Sequence, residues 1–194
     1  MLLVLLGVGV AVWLLVKGEG EQAAGSDYSA VTDGVLSAEF PSGWDTATGA
    51  DSEAGQSSWS SFLGGDVGAS ITAAPDLEGW GASVTVGAYV VASKALAESY
   101  TNEDLVVTGP NDMSEACTQE DARDFERGSF HGRIQTWSGC DGEPNLYFYT
   151  VAAAPEDREC VVLMKLGGFG EAERELGQNV IDTFEVDCGA LPAE

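Results

Sequence analysis

Two apolar runs, Leu146–Ala154 and Cys160–Leu166, stand on either side of a polar turn, Pro155-Glu156-Asp157-Arg158. In the first run Leu146, Phe148, Thr150 and Ala152 alternate with Tyr147, Tyr149, Val151 and Ala153. In the second, Val161 and Leu163 alternate with Val162 and Met164. Both alternating sets are largely apolar, so each strand needs a cover on both of its sides. The pair therefore predicts the centre of an antiparallel sheet, with the rest of the chain supplying flanking strands and two covers.

The flanking pattern is more broken. Val35–Phe40 alternates and stops at Pro41-Ser42-Gly43, which predicts an edge-type first strand. Trp44 opens a return strand before an acidic, glycine-bearing loop over Asp45–Gln56. Ser57–Leu63 reads as a short strand, Ile71–Gly81 as irregular, and Ala82–Val91 as a strand with Val84, Val86, Ala88 and Val90 on one face. Ser93 can cap a helix running to about Tyr100, with Leu96, Ala97 and Tyr100 as its apolar stripe. Leu105–Thr108 predicts a short strand. Phe125, Phe130, Ile134 and Trp137 mark a long hairpin that turns near Gly128. Gly167-Gly168 is expected to break the chain before a helix over Glu171–Ile181, and Asp182–Cys188 to form a last strand. No internal repeat is present.

The N-terminus changes the picture. Met1–Val16 holds no charged side chain; the first base is Lys17 and the first acid Glu19. As a helix it rises roughly 24 Å, against a hydrocarbon core of about 30 Å. That is short for a span and long for the core of a signal peptide. No basic segment precedes the run, and Gln22 spoils the small-x-small pattern for a cut after Ala24. The expectation is an uncleaved transmembrane signal-anchor over 1–16, rather than a cleaved signal, with the N-terminus inside. A flexible linker follows over 17–34, then an extracytoplasmic domain over 35–188 and a C-terminal tail over 189–194. A formal charge of −24, from 32 acids and 8 bases, excludes nucleic acid, whose phosphates need clustered Lys and Arg. Such acidity serves solubility first, and secondarily a match to a basic partner or a cation. Cys117, Cys140, Cys160 and Cys188 allow three pairings and form no Cys-x-x-Cys. Cys117–Cys140 and Cys160–Cys188 are favoured, because they tie the ends of a strand pair and pin the C-terminus to a central strand.

Three stretches resemble one family. LSAEFPSGW (Leu36–Trp44) resembles the strand and Pro-x-Gly-Trp entrance of PsbP-like domains. TVAAAPED (Thr150–Asp157) and NVIDTFEV (Asn179–Val186) resemble that family's last hairpin and its helix-to-strand ending. The chain is similar in this respect to LpqN-type proteins of the actinobacterial cell envelope, over about residues 35–188. The resemblance implies an α+β fold, a central antiparallel sheet covered by helices on both faces. It also implies a non-enzymatic module that docks on membrane complexes or transporters, with no catalytic motif to carry over. The lipidated cysteine of the lipoprotein members is missing here.

Candidate chemistry is sparse. His131 is the only histidine, and no Gly-x-Ser-x-Gly elbow exists for it to activate. Asp141-Gly142-Glu143 and Asn111-Asp112 offer oxygen ligands without the spacing of a calcium loop. Gly167-Gly168-Phe169-Gly170 precedes a helix as phosphate loops do, but Glu171 and Glu173 would repel phosphate. No catalytic residue, cofactor or metal site is assigned. Trp80, between Gly79 and Gly81, is expected to be exposed and to mark a partner contact. The leading function is a membrane-anchored, extracytoplasmic accessory module that binds a protein partner in the cell envelope. A carrier of a lipid or other small apolar ligand is the alternative, and a carboxylate-based hydrolase a lower one.

Overall fold

A computed structural model describes residues 27–49, 61, 68–80, 86–120, 122–170 and 174–192. The anchor expected over 1–16, Trp59 and the strand expected over 57–63 lie outside the described residues, Ser61 excepted. The large sheet has eight antiparallel strands in the order β3-β4-β5-β10-β9-β8-β6, with β7 also on β8. These are β3 (Asp45–Thr48), β4 (Ala69–Ala74), β5 (Gly87–Ser93), β6 (Thr118–Gln119), β7 (Arg123–Arg127), β8 (Phe130–Ser138), β9 (Tyr147–Ala154) and β10 (Val161–Phe169). The two runs that predicted the centre of the sheet, β9 and β10, pair with one another from Val162 opposite Ala153 to Phe169 opposite Tyr147.

Both covers are present. On one face, Leu36, Ala38 and Phe40 of β2 (Leu36–Pro41) and Val180 and Ile181 of helix α3 (Arg174–Thr183) pack on Val90, Val151, Val162 and Met164. On the other, Leu96 of α1 (Lys94–Ser99) and Leu105 of α2 (Asn102–Leu105) pack on Val91, Ala152 and Leu163. The central strands owe their two-sided apolarity to this arrangement. The first face departs from the expectation of helices alone. Much of its cover is a second, three-stranded sheet in the order β1-β2-β11, formed by β1 (Tyr28–Asp33), β2 and β11 (Glu185–Val186).

Several expectations are corrected. Residues 28–33 belong to a strand paired along its whole length with β2, so the folded domain starts inside the expected linker. β2 is thereby flanked on both edges instead of one. Ala69–Ala74 is a strand with all six residues buried; small side chains, not irregularity, explain its weak signal. The expected strand at Leu105 starts as the end of α2, because Thr101 and Asp104 cap one another's backbone N–H groups ahead of it. Gly167 does not break the chain. It continues β10 because the Phe148 ring lies where its Cβ would be, 1.7 Å from the nearest ring atom. The tail is not free either: Leu191 is buried, and its carbonyl accepts from Lys94 Nζ at 3.0 Å. Ser93 caps α1 as predicted.

A row of polar residues crosses the face under α2 and the turn that follows it. Thr72, Tyr89, Lys165, Thr150 and Gln135 stand opposite one another on five adjacent strands. Thr150 Oγ1 donates to Val106 O and accepts from Trp137 Nε1. Lys165 Nζ donates to Pro110 O at 3.0 Å and lies 6.0 Å from the Phe148 ring centre. Burial pushes its pKa below the ordinary lysine value of 10.5. The unfolded chain therefore binds more protons in the window between the lowered value and the ordinary one, and stability rises with pH there. In Lys165→Met that contribution is absent. Urea midpoints measured from about pH 8 to about pH 10.5 are expected to gain on the wild-type side relative to the variant. A difference that stays flat with pH contradicts a penalised ammonium.

Candidate functional site

The hairpin β7–β8 and helix α3 diverge above the sheet and leave a cleft between them. Its inner lobe, about 300 Å³, is lined by Arg123, Ile134, Tyr149, Arg174, Glu175, Gln178 and Ile181. A second lobe shares Arg123, Ile134, Gln178 and Ile181, and runs on past Arg127 to Asp182. Helical periodicity creates the helix wall. Val180 and Ile181 turn into the core, while Gln178 stays outside and donates to Asp182 Oδ1 at 2.9 Å, four residues on. Strand alternation creates the floor, since Tyr147, Tyr149 and Val151 share one face of β9.

Arg174 is held rather than free. Its guanidinium carbon lies 4.7 Å from the Tyr147 ring centre and 5.9 Å from that of Tyr149, and its Nε donates to Tyr149 Oη at 2.7 Å. This fixes the plane of the fork and leaves both Nη groups unassigned. Arg123, exposed at the start of β7, has no hydrogen-bond or ion-pair partner among the described residues. Its situation is unusual in this chain. Arg158 donates to Ala97 O and Tyr100 O at the end of α1, and Arg127 to Asp182 O and Phe184 O at the end of α3. Arg133 pairs with Asp124 and donates to Ala122 O. The bases mostly lock backbone carbonyls, which favours positive charge at helix C-termini. Among the described residues, Arg123 and the outer edge of Arg174 are the cations left over, and they share one cleft. That cleft can take a negatively charged group, although Glu175 also lines it.

The singled-out residues fall elsewhere. Trp80 is a correction: it is buried, because Gly87 lacks a Cβ and the indole occupies that space, 2.2 Å from where the atom would sit. It offers no contact surface. Cys117 is bonded to Cys140 and Cys160 to Cys188, the favoured pairing. His131 is exposed on β8, and its carbonyl accepts from Asn102. Asn111 is buried and donates to Leu105 O. Asp112 is exposed and caps the Ser114 backbone; the hydrogen bonds from Ser114 lower its carboxyl pKa. Asp141 and Gly142 lie in a single 3-10 turn after Cys140. Among the described residues no group of three or more His, Cys, Asp or Glu is placed to hold a metal, and no helix is long and apolar enough to cross a membrane. The cleft itself had no signal in the sequence. Arg123, Tyr149 and Arg174 are brought together from three separate elements, and a lone arginine in an acidic chain reads as solvated surface.

No family model and no curated protein matches the chain. Among solved structures it is similar to cyanobacterial PsbP (CyanoP) from Synechocystis sp. PCC 6803, at 15% identity. The match covers 86% of this chain and 96% of that one, with a TM-score of 0.43.

Proposed function

We propose that the chain is a non-enzymatic, PsbP-like binding module, held outside the cytoplasm by an N-terminal membrane anchor over 1–16, which docks on a larger envelope protein complex. The observation that carries this reading is the open cleft between α3 and β7–β8. It holds a pre-positioned Arg174 and an Arg123 without a partner among the described residues, in a chain with four times as many acids as bases. Two disulfides support an oxidising compartment outside the cytoplasm. The apolar run ahead of the domain supports attachment to a membrane. The cleft between α3 and β7–β8 is lined largely by charged and polar side chains, which favours a polar contact over an apolar cargo.

A photo-crosslinking residue at Gln178 tests it in native membranes, with a second at Ser29 on the exposed face of β1 as control. The expected result is a single stoichiometric membrane-protein adduct from Gln178 that the control does not give. A solitary monomer from both positions, or an equal adduct from both, overturns docking through this cleft. An apolar molecule co-purifying in native mass spectrometry would replace the docking reading with the carrier one.

A further inference from the structure

We infer that the α3–hairpin cleft is a carboxylate site, taking a carboxylate on a short apolar stem between Arg174 and Arg123. This deepens the docking reading and rests on its choice of surface. The argument begins with geometry. Nε of Arg174 is already committed to Tyr149 Oη at 2.7 Å, and two tyrosine rings lie against the guanidinium. What remains is a planar pair of Nη donors with its orientation set, the arrangement that matches the two oxygens of a carboxylate. Little side-chain entropy is left to lose on binding, because the fork is ordered beforehand.

Arg123 reaches the same cleft from β7, and its guanidinium has no internal partner among the described residues. The next residue on its strand, Asp124, is paired with Arg133. Glu175 on the wall of the inner lobe, with Asp124, Glu126 and Asp182 along the outer lobe, places the guest in the inner lobe and argues for a single charge. A phosphate dianion would meet more repulsion from these acids and from the net charge of −24, whereas a monoanion keeps the two arginine contacts at lower cost. Below the arginines the lining turns apolar: Ile134 and Ile181 are buried side chains of the main core. A guest with its charge at one end and a small hydrocarbon body behind it fits both parts. The C-terminal carboxylate of a partner protein, an acidic side chain and a free small carboxylic acid share this chemistry.

The probe is 3-phenylpropionate, with inorganic phosphate and the neutral 3-phenylpropan-1-ol as comparisons, added to the full chain in zwitterionic detergent micelles. The readout is the 1H–15N signal of the arginine Nε–H groups. Saturable shifts of the Arg174 and Arg123 signals are expected with 3-phenylpropionate, with binding weakened about tenfold or more for phosphate, for the alcohol and in Arg174→Met. Arg123→Gln, at an exposed position that leaves the core untouched, is expected to weaken it as well. Equal binding of the alcohol, or unchanged binding in both variants, overturns the inference. The photo-crosslinked partner separates the two proposals. Capture from Gln178 without any response to carboxylate sinks this inference and spares docking, while a carboxylate response without capture does the reverse. Loss of the Gln178 adduct when excess 3-phenylpropionate is present during irradiation assigns the carboxylate to that partner; an unchanged adduct assigns the site to a free acid.

Discussion

Gly132→Ala is expected to cost about 3 kcal/mol or more of folding free energy, close to the upper range for a single substitution. Gly132 is the third residue of β8, opposite Ala153 of β9 and Phe125 of β7. A Cβ there would come within 1.9 Å of Ala152 O and 2.7 Å of Ala153 Cα. These are backbone atoms of a central strand buried from Phe148 to Ala154, so no side-chain rotation can relieve the clash. β8 would have to move away from β9 and stretch the ladder that positions Ile134 and Trp137. Gly128 supplies the comparison. It occupies the β7–β8 turn at φ 59° with nothing within 4 Å of its would-be Cβ. Gly128→Ala strains only the backbone of that residue, at about 1 kcal/mol. Urea denaturation of both variants should rank Gly132→Ala well below Gly128→Ala. The reverse order would mean that β8 and β9 are not packed as closely as described.

That pair of glycines also shows what the sequence could reveal. Gly128 was legible as a turn, because the apolar phase of Phe125 and Phe130 slips across it. Gly132 was not, because its role depends on a backbone carbonyl twenty residues away. The same division holds elsewhere. β9 and β10 announced themselves through apolarity on both faces, and each lies at the centre with both faces covered. The strand over Ala69–Ala74 went unread, since Ala, Ser and Thr around the one large apolar residue, Ile71, give little hydrophobic contrast even where all six side chains are buried. Trp80 looked exposed because it stands among glycines and acids. The glycine that decides its fate is Gly87, seven residues on, whose missing Cβ admits the ring. The disulfide pairing was legible because each bridge closes a structural unit. The cleft was illegible because Arg174 is prepared by two tyrosines 25 and 27 residues back in the chain, which only strand alternation and the path of α3 bring beneath it.

Removing the bridge between Cys160 and Cys188 by a double change to alanine is expected to cost about 3.5 kcal/mol, the loop-closure entropy for a separation of 28 residues. The bridge between Cys117 and Cys140, with a separation of 23, has nearly the same entropic worth. The two losses should therefore match in size and differ in place. Cys160 stands immediately before β10, and Cys188 opens the final turn over Cys188–Ala190. Without that bond the C-terminal segment keeps the two-residue pairing of β11 with β2, the hydrogen bonds from Asp187 N to Val35 O and from Lys94 Nζ to Leu191 O, and the burial of Leu191. Amide exchange should quicken first in β11 and at the C-terminal end of α3, where Phe184 is wedged between Phe125 and Phe130. Loss of the other bridge should instead quicken β6 and the turn after β8, around Trp137. Because α3 leads directly into β11, a loosened C-terminus also loosens the wall that carries Arg174. Carboxylate binding should weaken in the Cys160/Cys188 variant and persist in the Cys117/Cys140 variant at the same overall stability. Equal binding in both would mean that α3 is held in place by its core contacts at Val180 and Ile181 alone.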